Sequence, residues 1–161
     1  MSMRKLLLLT LLLCSAAGTV CAQETDYTAD AAEQIEIVRA ATAAERKIMV
    51  MKEMNLTAEE AEEFWPLYEE FRNEMRIVGD KRVRIITDYA ASYNSMTNEL
   101  AEELLDDYMD YMDRQRAVTK RYIKKFRAIL PDRKVARYFQ LEHKLDAAVD
   151  FELAARIPLM E

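Results

Sequence analysis

Residues 56–71 read LTAEEAEEFWPLYEEF and begin the stretch that decides the fold. From here to residue 93, apolar side chains recur at alternating steps of three and four positions, and Arg82 interrupts the series. The series consists of Ala61, Phe64, Tyr68, Phe71, Met75, Val78, Ile85 and Tyr89. This spacing is typical of one face of an α-helix and not of a strand. The sequence therefore predicts a long helix over residues 58–93.

Thr57 and Glu60 predict where this helix begins. The Thr57 hydroxyl can accept a hydrogen bond from the Glu60 amide, and the Glu60 carboxylate can accept one from the Thr57 amide. Pro66 and Gly79 lie inside the predicted helix, but the apolar series keeps its phase across both residues. We therefore expect bends rather than breaks at these two positions.

Three further helices are predicted, since the whole chain has only 2 glycines and 3 prolines to interrupt them. They are expected over residues 30–55, 98–129 and 132–157, with Thr97 as the N-cap of the third helix. The residues expected to point inward are Ile35, Val38, Ala41, Ile48 and Met51 in the first helix, and Val135, Phe139, Leu145 and Val149 in the fourth. The chain is therefore predicted to be all-α.

The third helix carries two apolar stripes, so it has to bury both against other surfaces. The tyrosine-rich stripe consists of Leu104, Tyr108, Tyr111, Val118 and Tyr122. The other stripe consists of Leu105, Met109, Met112, Ile123 and Phe126. One stripe is expected to pack on the second helix, and a symmetric homodimer is the simplest cover for the remaining one.

The order of charges predicts that the second and third helices form an antiparallel hairpin about a turn at residues 94–96. Each of the two helices begins acidic and ends basic, so antiparallel packing places each acidic half beside a basic half. A helix of roughly 36 residues is about 54 Å long, more than the roughly 37 Å diameter of a compact globule of about 139 residues. We therefore expect an elongated subunit.

The first 22 residues have the pattern of a signal peptide: two basic residues, an apolar run over residues 6–13, and small residues up to Ala22. Lipid attachment at Cys21 is the alternative, but residues 18–20 fit that cleavage signal poorly. Residues 23–161 are then expected to form a single all-helical domain that is exported from the cytoplasm. We expect this domain to contain neither a membrane span nor a cysteine.

The charge balance and the residue types of the exported part predict no nucleic-acid partner, no enzymatic activity and no cofactor. Loss of Arg4 and Lys5 lowers the 23 basic residues to 21, against 29 acidic residues, a balance that does not favour phosphate binding. His143 is the one histidine, so a packing or solvated role is expected for it rather than metal ligation. Paired carboxylates such as Glu59 and Glu63 lie one turn apart, without an apolar wall to raise the pKa of either.

Leu56, Thr57 and Glu60, in a long-helix chain without cysteine in its exported part, resemble the LTxxQ motif of the Spy/CpxP-like periplasmic family. Glu60 stands where the family motif has glutamine. A second motif would fall at residues 130–134, where Leu130 is the residue retained. The resemblance implies a curved, hook-shaped, four-helix subunit that dimerises into a shallow cradle.

The same resemblance implies an envelope-stress protein that lies in the periplasm of a Gram-negative bacterium and binds unfolded or partner proteins without ATP. Two alternatives stay open. One is a regulator that binds a membrane signalling protein, such as a sensor kinase or an anti-sigma factor, with or without a response to metal stress. The other is a purely structural dimer. Methionine side chains adapt to different partners, and they are also soft ligands for Cu(I) or Ag(I), an interpretation we favour less. The candidate client surface consists of Met49, Met51, Met54, Met109 and Met112.

Overall fold

The computed structural model describes residues 42–160, and this part of the chain is helical without any strand. Helix α1 is described over residues 42–54. The other helices are α2 (Ala58–Ser92), α3 (Asn98–Ile129) and α4 (Asp132–Ala154), and a 3-10 turn (Tyr93–Ser95) follows α2. The predicted all-α fold is confirmed.

The chain divides into two compact units, residues 1–49 and 50–161. In the first unit the structure describes residues 42–49, which are all helical. The predicted signal peptide, the predicted start of the first helix, and Ile35, Val38 and Ala41 of its inward face lie outside the described residues. The second unit contains the end of α1 together with α2, α3 and α4.

Helix α2 begins with the predicted capping box and continues without a break past Pro66 and Gly79. The Thr57 hydroxyl accepts from the Glu60 amide at 3.3 Å, and the Glu60 carboxylate accepts from the Thr57 amide at 2.9 Å. The predicted inward face is confirmed at its four buried positions, which are Phe64, Tyr68, Phe71 and Val78.

Ion pairs show that α2 and α3 are antiparallel neighbours, as their charge order predicts. Near the turn, the Lys81 ammonium lies 3.0 Å from Asp107. Towards the other end of the hairpin, Lys125 lies 2.7 Å from Glu70. Later positions in α3 therefore meet earlier positions in α2, and acidic groups of each helix meet basic groups of the other.

Helix α4 closes an aromatic core against this hairpin. The ring centroids of Phe126 and Tyr138 are 4.8 Å apart, and those of Phe64 and Phe126 are 5.4 Å apart. Further ring contacts join Phe71 to Tyr122 and to Phe139. Large rings provide most of the apolar area that such a core removes from water.

The inward face predicted for α4 is partly wrong. Val135 is buried as expected, but Tyr138 and Glu142 are the other buried residues of the helix, and Val149 is exposed. Glu142 can take an inward position because its Oε2 accepts a hydrogen bond from Arg72 Nη1 at 3.0 Å. A buried carboxylate needs such a partner, and the apolar periodicity of a single helix does not reveal it.

The inward face predicted for α1 is wrong at Ile48 and Met51, which are its two described positions. Val50 and Met54 are buried, whereas Ile48 and Met51 are 63% and 59% exposed. Residues 48–51 are all apolar, so the sequence did not single out one face of this helix. Asn55, with φ of 47°, lies at the predicted end of the helix, where a left-handed residue is a common terminator.

Candidate functional site

The residues of the two motifs meet at one end of the second unit. Lys134, from the second motif segment, donates to the Asn55 carbonyl at 3.2 Å and to the Glu60 carboxylate. The hydrogen bond from Lys134 lowers the pKa of Glu60. Leu130 is buried, and Leu56 packs partly buried against the same core. In this structure the motif residues join the end of α1 to the starts of α2 and α4.

Exposed apolar side chains lie along the first half of α3, which is near the hairpin turn. We call these residues the α3 stripe: Leu105, Tyr108, Met109 and Met112. Their side chains are 61%, 45%, 54% and 39% exposed, in that order. Their spacing of three and four positions places them on one face of the helix. Single exposed apolar residues are ordinary, but a contiguous set is typical of a binding surface.

The α3 stripe leads into a groove of about 580 Å³ between α2, α3 and α4. Met112 belongs to both features. The groove has apolar lining residues from all three helices: Phe71, Met75, Met112, Ile123 and Phe139. Met112 therefore connects the exposed α3 stripe with the apolar floor of the groove.

One wall of the groove is basic. Arg116, Lys120 and Lys124 line it, and none of the three forms an ion pair with a residue in the range 42–160. By contrast, Arg121 and Lys125 of the same helix pair with Glu74 and Glu70 of α2. The hairpin therefore neutralises only part of the basic run of α3, and the rest of that run faces the groove.

Helix α4 supplies the opposite wall. Glu142, His143 and Asp146 line the groove there, and Glu142 is held by Arg72 at 3.0 Å. The wall therefore combines a neutralised carboxylate, a second carboxylate and an exposed histidine. Positive charge on the groove is concentrated on the side of α3.

The five candidate methionines do not form one surface. Met54 is a correction, because it is 1% exposed and belongs to the core. Met49 and Met51 are exposed, as are Met109 and Met112. Met51 nevertheless lies near Glu60, at the start of α2, whereas Met109 lies near Lys81, in the later part of α2. These two ends are about 30 Å apart along the helix.

The arrangement is suited to non-covalent binding of a polypeptide segment. The groove floor would remove apolar side chains of such a segment from water, and the basic wall would attract its acidic side chains. Within residues 42–160, no three His, Cys, Asp or Glu side chains come together as a group able to hold a metal ion. In the same part of the chain, no helix is both long and apolar enough to cross a membrane.

Sequence reasoning found Met109 and Met112 but missed the groove beside them. Arg116, Lys120 and Lys124 recur at steps of four, and a row of like charges at this spacing is unfavourable in an isolated helix. This row of like charges was the one sequence feature that could have indicated the groove.

Comparisons of the chain with protein-family models, with curated proteins and with solved structures found no match.

Proposed function

We propose that this protein binds exposed apolar segments of unfolded or partner proteins in the periplasm, without ATP. The observation that carries the proposal is the α3 stripe and its continuation into an apolar groove. A surface of this kind holds chains of different sequence, because methionine side chains repack at low cost. Met109 and Met112 lie at its centre.

The basic wall supports a preference among clients. Arg116, Lys120 and Lys124 form no ion pair with another residue in the range 42–160, so a segment that carries acidic residues gains more than a neutral one. Segments that combine apolar and acidic side chains are therefore the expected clients.

The resemblance to Spy/CpxP-like proteins is the basis for the periplasmic location and for a role in envelope stress. A homodimer, which the same resemblance implies, is also part of the proposal.

The direct test is light scattering by a chemically unfolded model protein that is diluted into buffer with and without this protein. The variant Met109→Asp with Met112→Asp should lose most of the suppression, because charged groups replace the centre of the apolar surface. A matched control is Ile77→Asp with Val83→Asp, since these α2 residues are also exposed and do not line the groove. The control should suppress aggregation as the unmodified protein does.

Two results would contradict the proposal. No suppression at a severalfold molar excess would remove general client binding, and stoichiometric capture of one membrane-protein domain would then favour the regulator. Equal loss of suppression in both double variants would show that the α3 stripe is not the site. Helical circular dichroism should be the same in all proteins compared.

A further inference from the structure

The groove differs in charge from the chain as a whole. Four of its lining residues are basic: Arg116, Lys120, Lys124 and Arg127. Two are acidic: Glu142 and Asp146. The whole chain has the opposite balance, with 29 acidic residues against 23 basic ones. A groove that reverses the charge of its own chain is a site at which an anion is attracted locally.

The basic row on α3 favours a bound anion. Arg127 pairs with Asp132 at 3.0 Å, whereas Arg116, Lys120 and Lys124 form no ion pair with another residue in the range 42–160. These three follow one another at steps of four positions, which is about 6 Å along the helix. Like charges at this spacing repel one another, and an anionic group placed beside them relieves that repulsion.

The apolar floor lies directly beside this row. Ile123 precedes Lys124 in α3, and the rings of Phe71 and Phe139 line the groove with their centroids 5.7 Å apart. Ile123 and Phe139 are only partly buried against the core, so each leaves apolar surface in contact with water. A ligand that touches both the floor and the row therefore has an apolar body and an anionic group at one edge.

The size of the groove is that of a small-molecule site. Its volume is about 580 Å³, and sites of this kind hold roughly 300–1,000 Å³. Its lining on α3 extends from Met112 to Arg127, which is about 22 Å along the helix. An elongated space with an apolar floor is suited to an extended alkyl chain rather than to a compact polar molecule.

We propose that the groove binds one long-chain carboxylate, as in a free fatty acid. The carboxylate lies beside Lys120, between Arg116 and Lys124, and the alkyl chain lies on the apolar floor. Arginine and lysine both form charge-assisted hydrogen bonds to carboxylates. The proposal does not depend on client binding, because Met109 and the rest of the α3 stripe before Met112 do not line the groove.

The charge of the chain favours a free molecule over a bilayer surface. An anionic bilayer attracts segments that are basic throughout, but this chain has a net charge of −6. The acidic residue Asp113 is exposed on α3 shortly before Arg116, and a flat anionic surface would repel it. The floor also lies between three helices, so an alkyl chain has to leave a bilayer to reach it. A bare phosphate ion would leave that floor uncovered.

Calorimetric titration tests the site with two amphiphiles that have the same alkyl chain. Dodecanoate, added below its critical micelle concentration at neutral pH, should bind with a stoichiometry of one per subunit. Dodecyltrimethylammonium carries a cationic head group, so it should bind more weakly by about tenfold or more. The difference between the two affinities measures the contribution of the carboxylate.

A charge variant tests the position of the carboxylate. Lys120→Gln should weaken dodecanoate binding by about tenfold and should not weaken binding of dodecyltrimethylammonium. Arg133→Gln is the matched control, because Arg133 is also exposed and does not line the groove. The control should bind dodecanoate as the unmodified protein does. Both replaced side chains are exposed, so helicity should not change in either variant.

NMR of labelled methionine methyl groups tests the position of the alkyl chain. Met75 and Met112 line the groove, whereas Met51 is exposed outside it. Dodecanoate should shift the methyl signals of Met75 and Met112 and leave the signal of Met51 unchanged.

Several results would overturn the proposal. Equal affinity for the two amphiphiles, or binding that does not saturate, would show adsorption to exposed apolar residues. Unchanged affinity in Lys120→Gln, or a shift at Met51 without one at Met75, would place the ligand elsewhere. Binding of anionic vesicles without binding of dodecanoate would assign the bases to a bilayer surface, and binding of an acidic peptide alone would assign the groove to a polypeptide. Aggregation assays decide separately whether clients are bound.

Discussion

Tyr122 of α3 donates a hydrogen bond to Glu74 of α2, with 2.7 Å between the phenol oxygen and Oε1. The tyrosine is fully buried, and the ammonium of Lys125 lies over its ring at 4.5 Å from the centroid. Burial, followed by the hydrogen bond to Glu74, raises the pKa of Tyr122. The middle of α2 is therefore joined to the later part of α3 by a neutral phenol and a carboxylate.

Removal of this hydroxyl should destabilise the fold. We expect Tyr122→Phe to lower the free energy of unfolding by about 1 kcal/mol or somewhat more, since the acceptor is charged. Tyr138→Phe is the matched control, because the Tyr138 hydroxyl is buried without a hydrogen bond to any described residue. Its loss should leave stability nearly unchanged. Urea unfolding of both variants measures the difference, and equal losses would contradict the assignment.

Alkaline pH should destabilise the protein through these same residues. Burial raises the pKa of both Tyr122 and Tyr138, and nearby carboxylates add to the shift. A group whose pKa is higher in the folded state contributes stability below its unfolded pKa, and that contribution is lost as pH rises above about 10. Unfolding midpoints in urea should therefore fall from about pH 10 upwards. Tyr122→Phe should make that fall shallower, and an unchanged slope would contradict the pKa argument.

The capping box should contribute to stability as ordinary helix caps do. Thr57→Ala removes the hydroxyl that accepts from the Glu60 amide at 3.3 Å, and we expect a loss of about 1 kcal/mol. Thr57→Ser keeps the acceptor and should recover most of that loss. Thermal unfolding of the three proteins compares them. If the serine variant is as unstable as the alanine variant, the hydroxyl is not the stabilising group.

The aromatic core should be the most sensitive part of the fold. Phe126 is fully buried between the rings of Phe64, Tyr138 and Phe139, so Phe126→Ala should cost about 3–5 kcal/mol. Phe151 is 73% exposed, and Phe151→Ala should change stability by less than about 0.5 kcal/mol. Chemical denaturation of both variants tests the contrast, and similar costs would show that Phe126 is not central to packing.

Local features of the fold could be predicted because they depend on neighbours in sequence. Thr57 and Thr97 were predicted as caps, and both accept the expected amide hydrogen bonds. Phe64, Phe71 and Val78 were predicted to face inward, and all three are buried. Each of these predictions needs only helical spacing and the hydrogen-bonding needs of a helix end.

The candidate site was only partly predictable. Met109 and Met112 were identified from their spacing, but Met54 was assigned to the surface and lies in the core. Arg116 and Lys120 were expected to be neutralised across the hairpin, yet they line the groove. The position of α4 decides which side of α3 faces the groove, and the sequence of α3 alone does not indicate where α4 packs.

The sequence by itself determined the helices, their caps and the antiparallel order of α2 and α3. These features depend on residues that are close in sequence or on the order of charges along a single helix. The tertiary structure alone decided that Glu142 is buried against Arg72, that α4 forms one wall of a groove, and that three bases of α3 face that groove. The physical reason is that burial and ion pairing depend on three-dimensional distance, and these contacts join residues far apart in the chain.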